Sequence, residues 1–279
     1  MLVETKEELQ KIIKEKPALI GVLSDISFLE LPLEKYAKLI EDKNFAIIIY
    51  ENLDELKEIS LILPQHELLP GNLFTLSKYK KRYYGIDKIF KELPMELINC
   101  YAEILPYLGA KYVEMVYDVS RHEMYKKETE ETKKIGGEAK VKKESINVGG
   151  SGEVKSASQD KLNKIYQELK SIKDIRHLRK VRKNFQLAKE KILKYNLTDD
   201  PIIEDLLNNA ETSARVEREI LAKTIFSQTF LQFKHLKVNF EIDLLKVFSL
   251  QSEYIDVILT TETRKKIEEI KFKLIVEFY

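Results

Sequence analysis

Tryptophan is missing from this sequence, and cysteine occurs once, at Cys100. A lone thiol cannot close an internal disulfide, so nothing implies an oxidising compartment. No apolar run approaches membrane-spanning length. The longest stretches free of Asp, Glu, Lys and Arg are Leu68–Ser77 and Thr224–Phe233, and each is about half of the roughly 20 residues that a spanning helix requires. The first ten residues, MLVETKEELQ, are acidic and lack the apolar core of a signal peptide. These absences lead us to expect a cytoplasmic protein. Net charge is nearly absent too: 47 Lys+Arg stand against 46 Asp+Glu, which argues against a globally basic nucleic-acid binder but leaves local patches open.

What the chain does have is 44% apolar and 33% charged residues, the balance of a folded protein with a sizeable core. The pattern along it predicts an α+β fold with a small N-terminal α/β unit. Thr5 and Glu8 have capping-box spacing ahead of Leu9, Ile12 and Ile13. ALIGVL (18–23) and FAIII (45–49) are continuous apolar runs, as expected of strands buried on both faces of a parallel sheet. Helices are expected over residues 34–42 and 53–59. A turn-rich stretch holding Pro64, Pro70, Pro94 and Pro106 completes residues 1–109, with a helix at 95–105 between the last two prolines.

Residues 110–159 read as a protruding β-hairpin or flexible insertion. The segment 113–119 alternates, and five of the nine glycines fall at 136, 137, 149, 150 and 152. Residues 160–195 contain no Gly or Pro and repeat Leu162, Ile165, Leu169, Ile172, Val181, Phe185, Ala188 and Ile192 at helical steps, which predicts one long basic helix. Helical companions follow at 201 onward, with Asp200 as N-cap and Pro201 in the first turn, and at 214–230. Strands are expected at 237–243 and 270–278, closing residues 160–279 as an antiparallel pair that could share a sheet with 1–109.

No catalytic motif emerges. His66, His122, His177 and His235 are widely spaced and have no Cys or second His beside them, so no zinc spacing exists. No phosphate loop, dinucleotide fingerprint or nucleophile elbow is present. Asp118 with Glu138 and Lys140 resembles the acidic core of one nuclease superfamily, but Glu-x-Lys recurs at 4/6, 55/57, 153/155 and 269/271 and so carries little weight. Asp25 is expected as a cap or turn residue, and Cys100 as a buried, inert thiol. Nothing calls for a cofactor or a metal.

Charge distribution is the best lead. Segment 160–195 holds 12 Lys+Arg against 4 Asp+Glu, whereas 1–60 and 196–222 are each five charges negative. On a helix, Lys173, Arg176, Lys180 and Lys183 would form one stripe, widened by Arg179 and Arg182, and such a stripe can follow phosphates. Its ordinary alternative is closure against the chain's own acidic segments. A second segment interleaves Lys78, Lys80, Lys81 and Arg82 with Tyr79, Tyr83 and Tyr84, the mixture of cations and rings that suits single-stranded nucleic acid. We therefore expect a non-enzymatic interaction or regulatory protein that meets a protein partner, or itself, through the helix and the hairpin. The alternatives are a nucleic-acid-associated protein using the two basic segments, and an effector whose hairpin contacts a membrane or another subunit. For a membrane strand, however, residues 139–148 place charge on both faces.

Overall fold

A computed structural model describes residues 1–29, 40–52, 68–118, 151–210, 215–239 and 248–279, with the isolated positions 34, 37 and 63. Two sheets organise them, and the fold is α+β. The first sheet has the order β1-β3-β2-β4-β5, formed by Leu2–Val3 (β1), Leu19–Leu23 (β2), Phe45–Ile49 (β3), Leu73–Leu76 (β4) and Tyr83–Gly85 (β5). Strands β1, β3 and β2 are parallel, β4 runs antiparallel to β2, and β5 antiparallel to β4.

The continuous apolar runs have the cause expected of them: every residue of β2 and β3 is buried. On one face Ile20, Val22, Ala46 and Ile48 meet Leu9 and Ile12 of helix α1 (Lys6–Glu15). On the other, Leu19, Leu23, Phe45, Ile47 and Ile49 join the main core. Helix α1 starts where its capping box puts it. The Glu8 N–H donates to the Thr5 hydroxyl at 3.3 Å, and the Thr5 N–H donates to the Glu8 carboxylate at 3.0 Å. Asp25 is the first residue of the short helix α2 (Asp25–Leu29).

Gly21, in the middle of β2, is required by close approach. A Cβ there would lie 2.6 Å from the ring of Phe248 and 3.0 Å from that of Phe45. Gly21→Ala is expected to destabilise the protein by about 1–3 kcal/mol through overpacking. Denaturant midpoints check this, and the partner change Phe248→Leu should recover part of the loss; no recovery would place the strain elsewhere.

Helix α3 (Ile89–Ile104) crosses the middle of the molecule. It begins before Pro94 rather than at it: Pro94 lies inside the helix, where a missing N–H removes one bond without ending the element. The second sheet has the order β7-β6-β9-β8, antiparallel throughout, formed by Ala110–Tyr117 (β6), Lys173–His177 (β7), Arg215–Leu221 (β8) and Lys271–Phe278 (β9). It is half-buried, as the alternation at 270–278 predicts. Val113, Met115, Phe272, Leu274 and Val276 face the core, and Glu114, Lys273 and Glu277 alternate with them. The remaining helices are α4 (Ser151–Lys170), α5 (Phe185–Lys194), α6 (Pro201–Asn209), α7 (Ala222–Asn239), α8 (Ser249–Leu259) and α9 (Thr261–Glu268). One cluster of buried side chains runs through both sheets' inner faces and helices α3 to α9.

Four expectations are corrected. The single helix over 160–195 is instead α4, a turn at Ser171, strand β7, an irregular stretch at 178–184, and α5. Ile172, Ile175, Leu178 and Val181 do keep helical spacing, but 173–177 obtains its backbone partners from β6, with Val113 opposite Arg176 and Met115 opposite Asp174. Tertiary pairing overrides local periodicity there. Asn184 then caps α5 through its side chain, 3.1 Å from the Leu187 N–H. Residues 215–221 are strand β8 and not the start of a helix. Residues 237–239 finish α7, 240–243 lie outside the described residues, and β9 pairs with β6 and β8. Finally, the expected first arm is an inner strand, β6, between β7 and β9, and Ser151 onward is helical, while residues 119–150 of the expected hairpin or insertion lie outside the described residues. The expected return segment at 139–148, Glu138 and Lys140, and the helix at 53–59 lie outside the described residues.

Candidate functional site

The Tyr/Lys segment forms the β4–β5 turn. It closes through the Ser77 N–H, which donates to the Arg82 carbonyl at 2.7 Å, and it passes through Lys81 in the left-handed region at φ 56°. Most of its chemistry points inward. Tyr79 is 2% and Tyr83 3% exposed, and the Tyr83 hydroxyl donates to the Pro17 carbonyl at 2.6 Å. The Lys78 ammonium donates to the Thr224 carbonyl at the start of α7, and burial pulls its pKa below the ordinary lysine value while Asp200 opposes that shift. Lys80 is 2.6 Å from Glu103 of α3. Lys81 and Arg82 remain exposed.

Beneath the turn lies Glu96 of α3, 2% exposed. Its carboxylate accepts from the Ser77 hydroxyl, from the Tyr84 hydroxyl at 3.1 Å, and from the Lys80 backbone N–H. Burial raises its pKa, and those three donors, with the charge of Arg82, pull against the rise. Cys100, one turn along α3, is buried, and burial pushes its thiol up to about 12. That is the inert thiol expected of it.

The second basic segment divides between interior and surface. Arg176 is committed inward. Its guanidinium grips both oxygens of Asp174 at 2.8 and 2.7 Å and donates to Asn99 of α3. Lys173, Arg179, Lys180, Arg182 and Lys183 are exposed. Lys180 stands 4.9 Å from the ring centre of Tyr279. Lys173, Arg179, Arg182 and Lys183 have no ion-pair partner among the described residues.

The fold joins the two segments. Glu103 accepts from Lys80, lies 3.5 Å from Lys191 of α5, and accepts the Tyr195 hydroxyl. Burial works against its charged form, but the hydrogen bonds from Lys80 and Tyr195, with the charges of Lys80 and Lys191, hold its carboxyl down at about 2. Lys191 is 5.8 Å from the Tyr107 ring, and the Tyr107 carbonyl accepts the Asn184 N–H at 2.9 Å. The stem of Lys183 crosses Gly109, at φ 90°, where a Cβ would otherwise sit. The Lys111 carbonyl accepts the Leu178 N–H at 2.8 Å. These contacts link the cations of the β4–β5 turn, α5, the 178–184 stretch and β7 into one basic band, within which Glu103 pairs with Lys80 and Lys191 and Asp174 with Arg176. Glu103, Lys191 and Tyr195, which connect its halves, carry no distinguishing pattern in the sequence, because their role depends on α3 and α5 packing side by side.

Among the described residues of the two acidic segments, the paired carboxylates bind elsewhere than on this band. In 196–222, Asp205 pairs with Arg218 at 2.6 Å, Glu217 with Arg215 and Lys273 at 2.7 Å each, Glu219 with Lys271, and Asp200 caps α6 while accepting the Tyr101 hydroxyl at 2.8 Å. In 1–60, Asp42 meets His235 at 2.8 Å, and Glu51 accepts the Asp25 N–H at 2.9 Å.

No group of three or more His, Cys, Asp or Glu among the described residues is arranged to hold a metal ion, and no helix there is long and apolar enough to cross a membrane. Against family models, curated proteins and solved structures, the chain finds no match.

Proposed function

We propose that the protein is a non-enzymatic, nucleic-acid-associated protein whose basic band holds backbone phosphates. The observation that carries this reading is the exposure of Lys173, Arg179, Arg182 and Lys183 without acidic partners among the described residues. Cations arranged in this way release counterions when they meet a polyanion. A protein-binding patch would concentrate aromatic and apolar anchors and contain few lysines. Here the large exposed apolar and aromatic side chains near the band are Ile175, Leu187, Leu193 and Tyr279, few beside its cations.

Fluorescence anisotropy with labelled oligonucleotides at about 50 mM salt tests the proposal. Binding is expected, and the triple variant Arg179→Glu, Arg182→Glu, Lys183→Glu should weaken it at least about tenfold. The equal charge change Lys6→Glu, Lys11→Glu, Lys14→Glu, on the exposed side of α1, should leave it within about twofold. An absence of binding would sink the reading. So would poly-glutamate bound as tightly as the oligonucleotide, which would indicate an acidic protein partner instead.

A further inference from the structure

Resting on that reading, we infer that the band takes double-stranded rather than single-stranded nucleic acid and holds its backbone without reading bases. Single strands are gripped by open aromatic faces on which successive bases stack. The rings that the sequence interleaves with the cations are not available in that way. Tyr79 and Tyr83 are in the core, the Tyr84 hydroxyl is bound to Glu96, and Tyr195 is buried with its hydroxyl on Glu103. At the surface, Tyr112 and His177 lie against each other at 5.5 Å, and Tyr279 already has the Lys180 ammonium over its ring. Among the described residues the band therefore has no run of successive open rings: Tyr279, 61% exposed, stands with a cation already on it, and charge without a row of stacking platforms matches a duplex, whose bases are already stacked and whose phosphates are not.

Base reading requires an element that enters a groove. The cations at 178–184 lie on a stretch tied at both ends to residues 107–111, by the Leu178 N–H to Lys111 and the Asn184 N–H to Tyr107. It is therefore pinned to the body at both ends, and the stem of Lys183 lies across Gly109. Helix α5 has ten residues, and its solvent face mixes Gln186, Leu187, Glu190 and Leu193 with Lys189 and Lys194. A carboxylate and two leucines on that face oppose close entry between phosphates.

The five exposed cations of β7 and the 178–184 stretch, Lys173, Arg179, Lys180, Arg182 and Lys183, are taken as the phosphate contacts and set the expected salt dependence. The slope of log K against log salt for a duplex should be about −4 to −5, from about −0.9 per phosphate neutralised. The test compares a mixed-sequence duplex, a duplex of unrelated sequence, and each component strand alone, titrated with the intact chain from about 50 to 200 mM salt. The inference expects the duplex to bind at least about fivefold more tightly than either strand, the two duplexes to agree within about twofold, and the stated slope to hold. The single neutralisation Arg182→Gln, at an exposed site, should flatten the slope by about one unit. It places the contact even if the triple charge reversal impairs folding. Strands that bind as tightly as the duplex, or a preference above about tenfold between duplexes, would overturn this inference while leaving nucleic-acid association intact. No binding of any oligonucleotide would overturn the proposed function itself, and an unchanged slope in Arg182→Gln would move the contact off the band.

Discussion

Phe226→Ala is expected to destabilise the protein by about 3–5 kcal/mol, the range for emptying a fully buried aromatic site. Phe226 sits on α7 where three helices meet. Its ring centre is 4.8 Å from Phe90 of α3 and 6.3 Å from Phe230, and Phe90 in turn lies 6.4 Å from Tyr254 of α8. Truncation removes the transfer free energy of the ring and the tilted aromatic contact, and it leaves a cavity whose walls belong to separate elements and cannot all collapse at once. For a chain of this size each kcal/mol moves Tm by about 2–4 °C, so a drop of about 10 °C is expected. Leu231→Ala on the same helix is the matched control. Leu231 is 65% exposed, and its loss should change stability by no more than about 0.5 kcal/mol. Equal losses in the two variants would mean that α7 does not bury the face described here.

Glu96 should respond differently to two substitutions. Glu96→Ala strands the Ser77 hydroxyl, the Tyr84 hydroxyl and the Lys80 N–H, and is expected to cost about 2–4 kcal/mol. Glu96→Gln keeps an acceptor oxygen, and the Ser77 hydroxyl can rotate to accept from the new amide. The pH dependence separates the two effects. Because burial raises the folded-state pKa of Glu96, the folded chain binds this proton more tightly than the unfolded one. Its contribution is complete below the unfolded value of about 4.3 and is lost as pH rises through the folded value. Wild type should therefore lose stability relative to Glu96→Gln as pH rises from about 4 to 8. Glu103 acts in the other direction. With its carboxyl held down at about 2, its contribution is complete above the unfolded value of about 4.3 and is lost as pH falls from there through about 2. Urea midpoints of both chains at several pH values provide the check, and a difference that does not change with pH would show that Glu96 titrates normally.

Three parts of the fold are legible because local signals and tertiary structure agree there. The capping box at Thr5 and Glu8, the unbroken apolar runs of β2 and β3, and the Asp200–Pro201 start of α6 each have one physical reading. The 160–195 segment was misread because its apolar spacing fits a helix throughout, and nothing local reveals that β6 supplies 173–177 with hydrogen-bond partners. Asn184 was the available clue, a good capping residue placed in the middle of the expected helix. At 215–221, Val216 and Ile220 satisfy helix and strand spacing equally, and pairing with β9 decides between them. For the candidate site, the sequence located the cations but misassigned their surroundings. Which of them turn inward, as Lys78, Lys80 and Arg176 do, depends on Thr224, Glu103 and Asn99, distant residues that only the fold brings within reach.

Strand β7 ends its sheet, and among the described residues no strand pairs with its outer edge. An edge without a partner strand among the described residues, with Ile175 46% exposed, invites self-association, because a second copy could extend the sheet through the same backbone groups. Lys173 beside that edge, with Arg179 and Lys180 just beyond it, places like charge in the path of any identical strand that approaches. Positive charge of this kind is how natural sheets discourage edge-to-edge aggregation. The cations proposed to hold a polyanion would thus also keep the free protein monodisperse, and a ligand that neutralised them would remove that guard while covering the edge it protects.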